Sequence, residues 1–360
     1  MQPGKRAFNR QASPCILPPG SVLQTCSFLS YLCRLHIHLM IIITGAAGFI
    51  GSCLAARFNE ELYYNLGLVD AFGSERKNRN YQQKKFLNVI ERDEFPAWLD
   101  LQHDSIDIVY HLGARTDTTL KDKAIFDRLN LEYSKEVFTR CAEYGIPLVY
   151  ASSAATYGNG AQGYEDQESG IPHLHPLNPY GESKQLFDRW VLEQKKFPPR
   201  WYGLKFFNVY GPNEYHKGRM ASVIFHAFQQ IQEHGKVKLF RSHKQGYKDG
   251  EQLRDFIYVK DVADVLFHLY LHTPPSGIYN LGTGQANTFL SLAHAVFSAM
   301  GKHPDIEWID IPADIRNSYQ YFTEAKMEKW RSTGYQKPFT SLEAGITDYV
   351  QQYLLPDKIW

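Results

Sequence analysis

Long apolar runs, charge excess and paired cysteines are all missing from this chain of 360 residues. No run of 18 apolar residues occurs, which argues against a transmembrane helix. The net charge is only +1, so composition favours neither a nucleic-acid-binding nor a membrane-surface protein. The five cysteines include no C-x-x-C pair, which indicates reduced thiols in a cytoplasmic protein. The histidines form no H-E-x-x-H motif, so we predict no metal site.

The first 39 residues differ in composition from the rest of the chain. They contain four basic and no acidic residues, four prolines and three of the five cysteines, with no helix or strand period. Met40 then opens the first apolar run. Three interpretations stay open: translation from a misplaced start, a targeting peptide, or a functional arm. We expect residues 1–39 to be an extension that the fold does not need.

From Met40 onward, short apolar strands alternate with helices. Strands are predicted at 41–44, 66–69, 106–112, 147–151 and 203–207, with helices at 53–59, 130–144 and 180–193. This alternation predicts an α/β, Rossmann-type doubly wound parallel sheet. We expect a dinucleotide-binding domain at 40–210, to which strands near 256–262 and 278–282 return. Segments 211–255 and 283–360 are predicted to form a smaller C-terminal substrate-binding domain.

A glycine turn follows the first predicted strand and opens the first helix. Its glycines are Gly45, Gly48 and Gly51, which permit a tight turn and close approach of the backbone to a pyrophosphate. The helix N-terminus offers free N–H groups to the phosphates. Asp70 ends the next strand, where an acidic residue suits the ribose hydroxyls of NAD. The sequence therefore predicts a dinucleotide site.

The residues that follow Asp70 leave the choice of dinucleotide open. Arg76, Lys77 and Arg79 lie within ten residues of it, and cations of this kind would bind the 2′-phosphate of NADP. A solvated basic loop is the alternative interpretation. We expect NADP, with NAD possible.

A serine, a tyrosine and a lysine form the candidate catalytic group. Tyr180 and Lys184 are four apart on a predicted helix, so both face the same way. The lysine cation and a nicotinamide ring would lower the pKa of the phenol and let tyrosinate act as a base. Ser153 follows the strand at 147–151 and could hold the substrate oxygen beside Tyr180. A lone Y-x-x-x-K is usually an exposed helix face, but its order and spacing after the glycine turn and the serine argue against that interpretation here.

With these motifs, residues 40–350 resemble the extended short-chain dehydrogenase/reductase superfamily. Four strings bring the resemblance closer to the ADP-L-glycero-D-manno-heptose 6-epimerase family: residues 151–158, N-V-Y-G-P at 208–212, H-K-G-R-M-A-S-V at 216–223 and R-D-F-I-Y-V at 254–259. The H-K-G string is the most discriminating. The segment 319–323 is similar to that family's substrate loop.

This resemblance implies bound NADP and interconversion of the two C6 epimers of ADP-heptose, a precursor of the lipopolysaccharide inner core. It implies Tyr180 and Lys217 as acid/base groups beside Ser153 and Lys184. The implied cofactor contacts are Gly45, Gly48, Phe49, Ile50, Gly51, Asp70, Ala71, Lys77, Arg92, Leu112, Gly113, Ala114, Arg115, Thr116, Asn130, Lys184 and Val209. The implied substrate contacts are Asn208, Arg219, His226, Phe240, Arg241, Ser242, His243, Arg254 and Tyr319. The family also implies a homo-oligomer, tending to a homopentamer.

The chain departs from the family pattern in places, and rival functions remain. Ala47, Ala71, Leu112 and Arg115 differ from the usual residues, and the loop at 243–252 looks longer than the family's. His226, Arg254 and Tyr319 could instead have structural roles. Another nucleotide-sugar 4-epimerase or 4,6-dehydratase is the alternative enzyme, and a non-catalytic NADP-binding sensor or scaffold is the alternative of another class.

Overall fold

The computed structural model describes residues 39–316 and 319–360, and Leu39–Trp360 forms a compact unit. Predictions about the extension at 1–39 lie outside the described residues apart from Leu39. The strands are β1 Met40–Thr44, β2 Leu66–Asp70, β3 Asn88–Glu91, β4 Ile106–His111, β5 Leu148–Ser153, β6 Trp201–Phe206, β7 Asn208–Tyr210, β8 Val237–Phe240, β9 Leu253–Tyr258, β10 Gly277–Leu281, β11 Ala286–Thr288 and β12 Ile306–Ile309. The helices are α1 Phe49–Glu60, α2 Glu75–Gln82, α3 Phe95–Gln102, α4 Lys123–Phe126, α5 Tyr133–Tyr144, α6 Pro179–Leu192, α7 Val223–His234, α8 Val259–Leu271, α9 Phe289–Ala299, α10 Ala313–Arg316, α11 Glu328–Arg331 and α12 Leu342–Tyr349. None of the helices in these described ranges is both long and apolar enough to cross a bilayer.

Seven strands form one parallel sheet in the order β10-β6-β5-β4-β1-β2-β3. Counted from the opposite edge, strands β1 to β6 lie in the order 3-2-1-4-5-6 of Rossmann-type doubly wound folds. The predicted α/β class and parallel sheet are therefore confirmed.

Both faces of this sheet are covered, as its uniformly apolar strands require. In β1, Ile41 and Ile43 belong to one core cluster, whereas Met40 and Ile42 belong to another. Successive side chains of a strand point to opposite faces. The alternation therefore places a separate apolar core on each side of β1, which is the doubly wound arrangement.

Later segments build two smaller sheets, β11-β9-β7 and β12-β8. A third core cluster gathers around α7, α9 and α12. The strand expected near 256–262 is corrected: it spans Leu253–Tyr258, pairs with β7 and β11, and gives way to α8 at Val259. Strand β10 does return to the main sheet beside β6. The boundaries proposed for the two domains remain a prediction.

Candidate active site

The glycine turn lies between β1 and α1, as the sequence predicted. Gly45 has a φ of +70°, and a Cβ there would lie 2.7 Å from the Cα of Gly113. A Cβ on Gly51 would collide with the carbonyl of Gly45. No side chain caps the N-terminus of α1, so its first N–H groups are available to a ligand. The turn is thus a bare backbone cradle that fits the phosphates of a dinucleotide.

This cradle opens into a cleft of about 490 Å³. The predicted cofactor residues that line it are Gly45, Gly48, Phe49, Ile50, Gly51, Asp70, Ala71, Lys77, Arg92, Leu112, Gly113, Ala114, Arg115 and Thr116. Lys217 lines the same cleft, with His216 and Met220 beside it. Asn130, Lys184 and Val209, the other predicted cofactor residues, do not line this cleft, and their contacts with the cofactor remain predictions.

Asn130 supports the wall of the cleft from behind. It is fully buried; its Oδ1 accepts a 2.8 Å hydrogen bond from the Arg115 N–H, and its Nδ2 donates to the Arg115 carbonyl at 3.0 Å. Thr44, which the sequence analysis missed, accepts a hydrogen bond from the Gly113 N–H through its Oγ1 at 3.0 Å. These two side chains hold the loop after β4 in the shape that faces the glycine turn.

Asp70 lines the cleft at the end of β2 and is buried. Its Oδ2 accepts from the Ala47 N–H at 3.0 Å and its Oδ1 from the Ala71 N–H at 2.8 Å. Lys77 donates to the same Oδ1 at 3.0 Å. Arg79 instead pairs with Asp357, and Arg92 pairs with Asp93. A carboxylate and an ammonium therefore lie side by side at the end of β2.

The candidate catalytic group is held at the junction of β5 and α6. Asn178 caps α6 by accepting a 2.8 Å hydrogen bond from the Gly181 N–H. Lys184, one turn after Tyr180, is 3% exposed and donates to the carbonyl of Ala151 at 2.9 Å. Ser153 ends β5 and lies near enough to the Tyr180 hydroxyl to lower its pKa. The predicted neighbourhood of these three residues is present.

The pKa of Tyr180 differs from the sequence prediction. Burial raises it above the ordinary value of a phenol, and the Ser153 hydrogen bond acts in the opposite direction. Burial also lowers the pKa of Lys184 to about 8, against the influence of Asp188. A lysine that loses part of its charge near neutrality stabilises a tyrosinate less well. The expected lowering of the Tyr180 pKa is therefore not found in the protein by itself.

Lys217 approaches the cleft from a short 3₁₀ turn at Tyr215–Met220. Its Nζ lies 5.4 Å from the centre of the Phe49 ring. Burial lowers the pKa of Lys217, while the nearby Glu214 carboxylate opposes that shift. Glu214 is itself buried and accepts a 2.7 Å hydrogen bond from the Ser222 hydroxyl. Glu214 thus both anchors the turn and faces the ammonium that the turn carries.

Arg254 and Phe240, two of the predicted substrate residues, contact the ring of a third, Tyr319. The Cζ of Arg254 lies 5.5 Å from the centre of the Tyr319 ring, and Phe240 meets the same ring edge-on at 5.8 Å. Arg254 is 9% exposed, and burial lowers its pKa. Tyr321 extends the cluster, because it lies 5.5 Å from Tyr319 and its hydroxyl accepts from the His243 N–H. Aromatic rings packed edge to face beside a guanidinium suit a base and a diphosphate.

Other predicted substrate residues have different partners. Arg219 pairs with Asp117 at 3.1 Å across the mouth of the cleft, and Arg241 lies 4.0 Å from Asp249. The Ser242 N–H also donates to Asp249. Asn208 donates to the Asp255 carbonyl, which joins β7 to β9. His226 lies on α7, and its ring is 6.2 Å from that of Phe225.

Sequence reasoning missed several residues of this site. Asp117 was missed because its loop carries no motif. His216, adjacent to Lys217, accepts a 3.2 Å hydrogen bond through its Nδ1 from the Asn80 Nδ2, and burial lowers its pKa to about 4. Asp188 was recognisable, since it follows Lys184 by four residues on the same helix face. In the described part of the chain, no three His, Cys, Asp or Glu side chains are grouped to hold a metal ion.

Comparison with known proteins agrees with this geometry. The model of the NAD dependent epimerase/dehydratase family matches residues 41–282. An ADP-L-glycero-D-manno-heptose-6-epimerase of Fusobacterium nucleatum is 47% identical over 325 residues, covering 88% of this chain and 98% of its own length. One from Nitratidesulfovibrio vulgaris is 45% identical over 318 residues, with the same coverage.

Solved structures show the same fold. The Helicobacter pylori ADP-L-glycero-D-manno-heptose-6-epimerase has a TM-score of 0.73 and 28% identity, covering 87% of this chain and 96% of its own. A Thermus thermophilus UDP-glucose 4-epimerase solved with NAD has a TM-score of 0.68 at 24% identity, covering 87% and 98%. The family model that the chain matches indicates a nicotinamide dinucleotide as the cofactor class. The chain belongs to the NAD dependent epimerase/dehydratase family and, within it, groups with the ADP-L-glycero-D-manno-heptose-6-epimerases.

Proposed function

We propose that this enzyme interconverts ADP-D-glycero-D-manno-heptose and ADP-L-glycero-D-manno-heptose at C6 with bound NADP. The strongest support is the 47% identity with the Fusobacterium nucleatum epimerase over 98% of that protein's length. The Ser153, Tyr180 and Lys184 group at the end of β5 supplies the chemistry. A sensor or scaffold would not need this group intact.

The bound nicotinamide would supply a hydride acceptor and donor for the C6 carbon. Tyr180 would take the C6 hydroxyl proton as the hydride leaves, and Ser153 would hold the same oxygen. Lys184, held on the Ala151 carbonyl, would favour the ionised phenol by its charge. Burial would exclude water from the reactive ketone.

Inversion at C6 requires the ketone to present its other face. Rotation about the C5–C6 bond does this, but it moves the carbonyl oxygen to the opposite side of the pocket. A single tyrosine cannot reach both oxygen positions within hydrogen-bond distance. Lys217 lines the cleft beside Phe49 and has a lowered pKa, so we assign it as the second proton donor.

The ADP moiety is assigned to the cluster around Tyr319. Arg254 would contact the diphosphate with its fork of N–H groups. Phe240 and Tyr319 offer ring faces to the base or ribose. Lys77 supports NADP over NAD, because its ammonium lies beside Asp70, the acidic residue that would contact the ribose. From the family resemblance we also propose a cytoplasmic homo-oligomer that serves lipopolysaccharide inner-core synthesis.

The test is direct conversion of the sugar nucleotide. The purified protein is incubated with ADP-D-glycero-D-manno-heptose, and the C6 proton is followed by NMR. We expect the L-glycero epimer to accumulate to equilibrium. A Tyr180→Phe variant should convert it about 10²–10⁴-fold more slowly with its dinucleotide still bound. Tyr144→Phe is the matched control, since that hydroxyl pairs with Asp100 on the surface. Inversion of UDP-glucose at C4, with ADP-heptose unchanged, would contradict the proposal.

A further inference from the structure

A buried ion pair lies next to the Ser153, Tyr180 and Lys184 group. Asp188 lies one turn after Lys184 on α6, Lys205 lies on β6, and both are 0% exposed. The Lys205 Nζ is 2.6 Å from the Asp188 Oδ2. Desolvating two charges is costly, and apolar residues of similar size often stabilise a core equally well. Stability by itself therefore does not account for this pair.

The carboxylate of Asp188 acts on Lys184. Its position four residues later places both side chains on one helix face. Burial favours the neutral form of Lys184, and the negative charge of Asp188 opposes this. Asp188 is held in place by the Ser152 hydroxyl, which donates to its Oδ2 at 2.6 Å, and by the Tyr150 hydroxyl at 3.3 Å.

Other charged or titratable groups near Lys184 come from neighbouring strands. His111 on β4 is neutral at pH 7, because burial lowers its pKa to about 3. Lys205 on β6 is the ion-pair partner of Asp188, and of the two it is the Asp188 carboxylate that acts on the pKa of Lys184. Tyr180 on the same helix carries no charge while it is protonated. Asp188 is therefore the negative charge that acts on Lys184 in this packing.

The ammonium of Lys205 acts on the end of β5. It donates to the Thr156 hydroxyl at 2.8 Å, and that hydroxyl donates to the Ser153 carbonyl at 2.8 Å. Lys205 is also the cross-strand partner of Ser152. Lys184, on which Asp188 acts, donates to the Ala151 carbonyl. Both residues of the ion pair are therefore connected to residues 151–153, Asp188 through Lys184 and Lys205 through Thr156.

Resting on the function proposed above, we propose that Asp188 and Lys205 form a positioning unit: Asp188 keeps the Lys184 ammonium charged, and Lys205 fixes through Thr156 the strand end that presents Ser153 to Tyr180. Neither residue touches the reacting atoms. Removal of the pair should make Lys184 neutral at lower pH and should loosen Ser153. In the pH profile of kcat, the loss of activity on the alkaline side should then begin at a lower pH.

The test uses the double variant Asp188→Asn/Lys205→Met, which removes both charges of the buried pair together. We expect it to fold and retain dinucleotide, with kcat reduced about 10-fold or more and the alkaline limb about one pH unit lower. The KM for the sugar nucleotide should change less than about twofold, since the pair does not reach the Arg254 cluster. Asp100→Asn, which breaks a surface pair with Arg140, is the control and should match the wild type. A folded double variant with the wild-type limb and kcat would overturn the proposal.

A second readout does not depend on the substrate. The side-chain carbons of Lys184 are followed by NMR in protein labelled with ¹³C-lysine, with Lys184→Met to assign the signal. The titration midpoint should fall in the double variant and should be preserved in Asp188→Glu, which keeps the charge. Equal midpoints in wild type and double variant would refute the inference. If the wild type does not epimerise ADP-heptose, the proposed function fails, and this titration still decides the role of the pair.

Discussion

Lys77 donates a 3.0 Å hydrogen bond to Asp70, the residue that ends β2 at the cofactor cleft. An acidic residue at this position is typical of NAD sites, and a nearby cation is typical of NADP sites. In this chain the two are paired. The Lys77 ammonium is therefore already in position to bind a 2′-phosphate. Its positive charge would also offset the repulsion between that phosphate and the Asp70 carboxylate.

Replacing Lys77 with Ala should weaken NADP binding and leave NAD binding nearly unchanged. A charge-assisted hydrogen bond contributes roughly 1.5–3 kcal/mol, which corresponds to about one to two decades in affinity. Titration of both dinucleotides by fluorescence or calorimetry measures this. Lys195→Ala, an exposed lysine after α6, serves as the control. Equal losses for NADP and NAD would show that Lys77 supports the loop instead of reading the phosphate.

Lys217→Met should reduce epimerisation about 10²–10⁴-fold while the dinucleotide remains bound. The methionine keeps an apolar stem near Phe49 but offers no proton. Steady-state rates over a range of substrate concentrations separate kcat from KM. If turnover stays near that of the wild type and only KM rises, Lys217 binds the substrate and the two-group mechanism is wrong.

Arg254→Lys should raise the KM for the sugar nucleotide with a smaller effect on kcat. Lysine keeps the charge but loses the planar fork that matches a diphosphate, and it stacks less well on Tyr319. An increase of about 10-fold is expected from the loss of one charge-assisted contact. Arg140→Lys, at the surface pair with Asp100, is the control. A fall in kcat at constant KM would assign Arg254 to the chemistry.

Acid should destabilise the protein partly through His111. Burial holds the pKa of this imidazole at about 3, against 6.5 in the unfolded chain. The unfolded state therefore binds the proton first, and stability that is present above pH 6.5 is lost as the pH falls toward 3. Between pH 6.5 and 5 the loss from this group is about 2 kcal/mol.

The His111→Gln variant tests this contribution. Glutamine can still pair with Thr44 and Ser134, the two partners of the ring, at either side of β4. Urea unfolding at several pH values should show a smaller acid loss than in the wild type. The difference between the two proteins isolates His111 from His216, whose lowered pKa acts in the same direction. Parallel stability curves would contradict the assignment.

The local sequence was sufficient to predict elements that depend on only a few neighbouring residues. The glycine turn, the apolar strands and the spacing of Tyr180 and Lys184 were all readable, because backbone freedom and helix periodicity act over a few residues. The parallel sheet followed from the alternation of strands and helices. The N-cap at Asn178 also lies within three residues of its partner.

Only the tertiary structure decided which distant residues meet. Strand β9 pairs with β7 and β11 instead of the main sheet, and Lys205 reaches Asp188 from another strand. The pKa of Tyr180 rises because burial outweighs its local partners. Desolvation and strand pairing depend on segments far apart in the chain, so no local pattern could specify them.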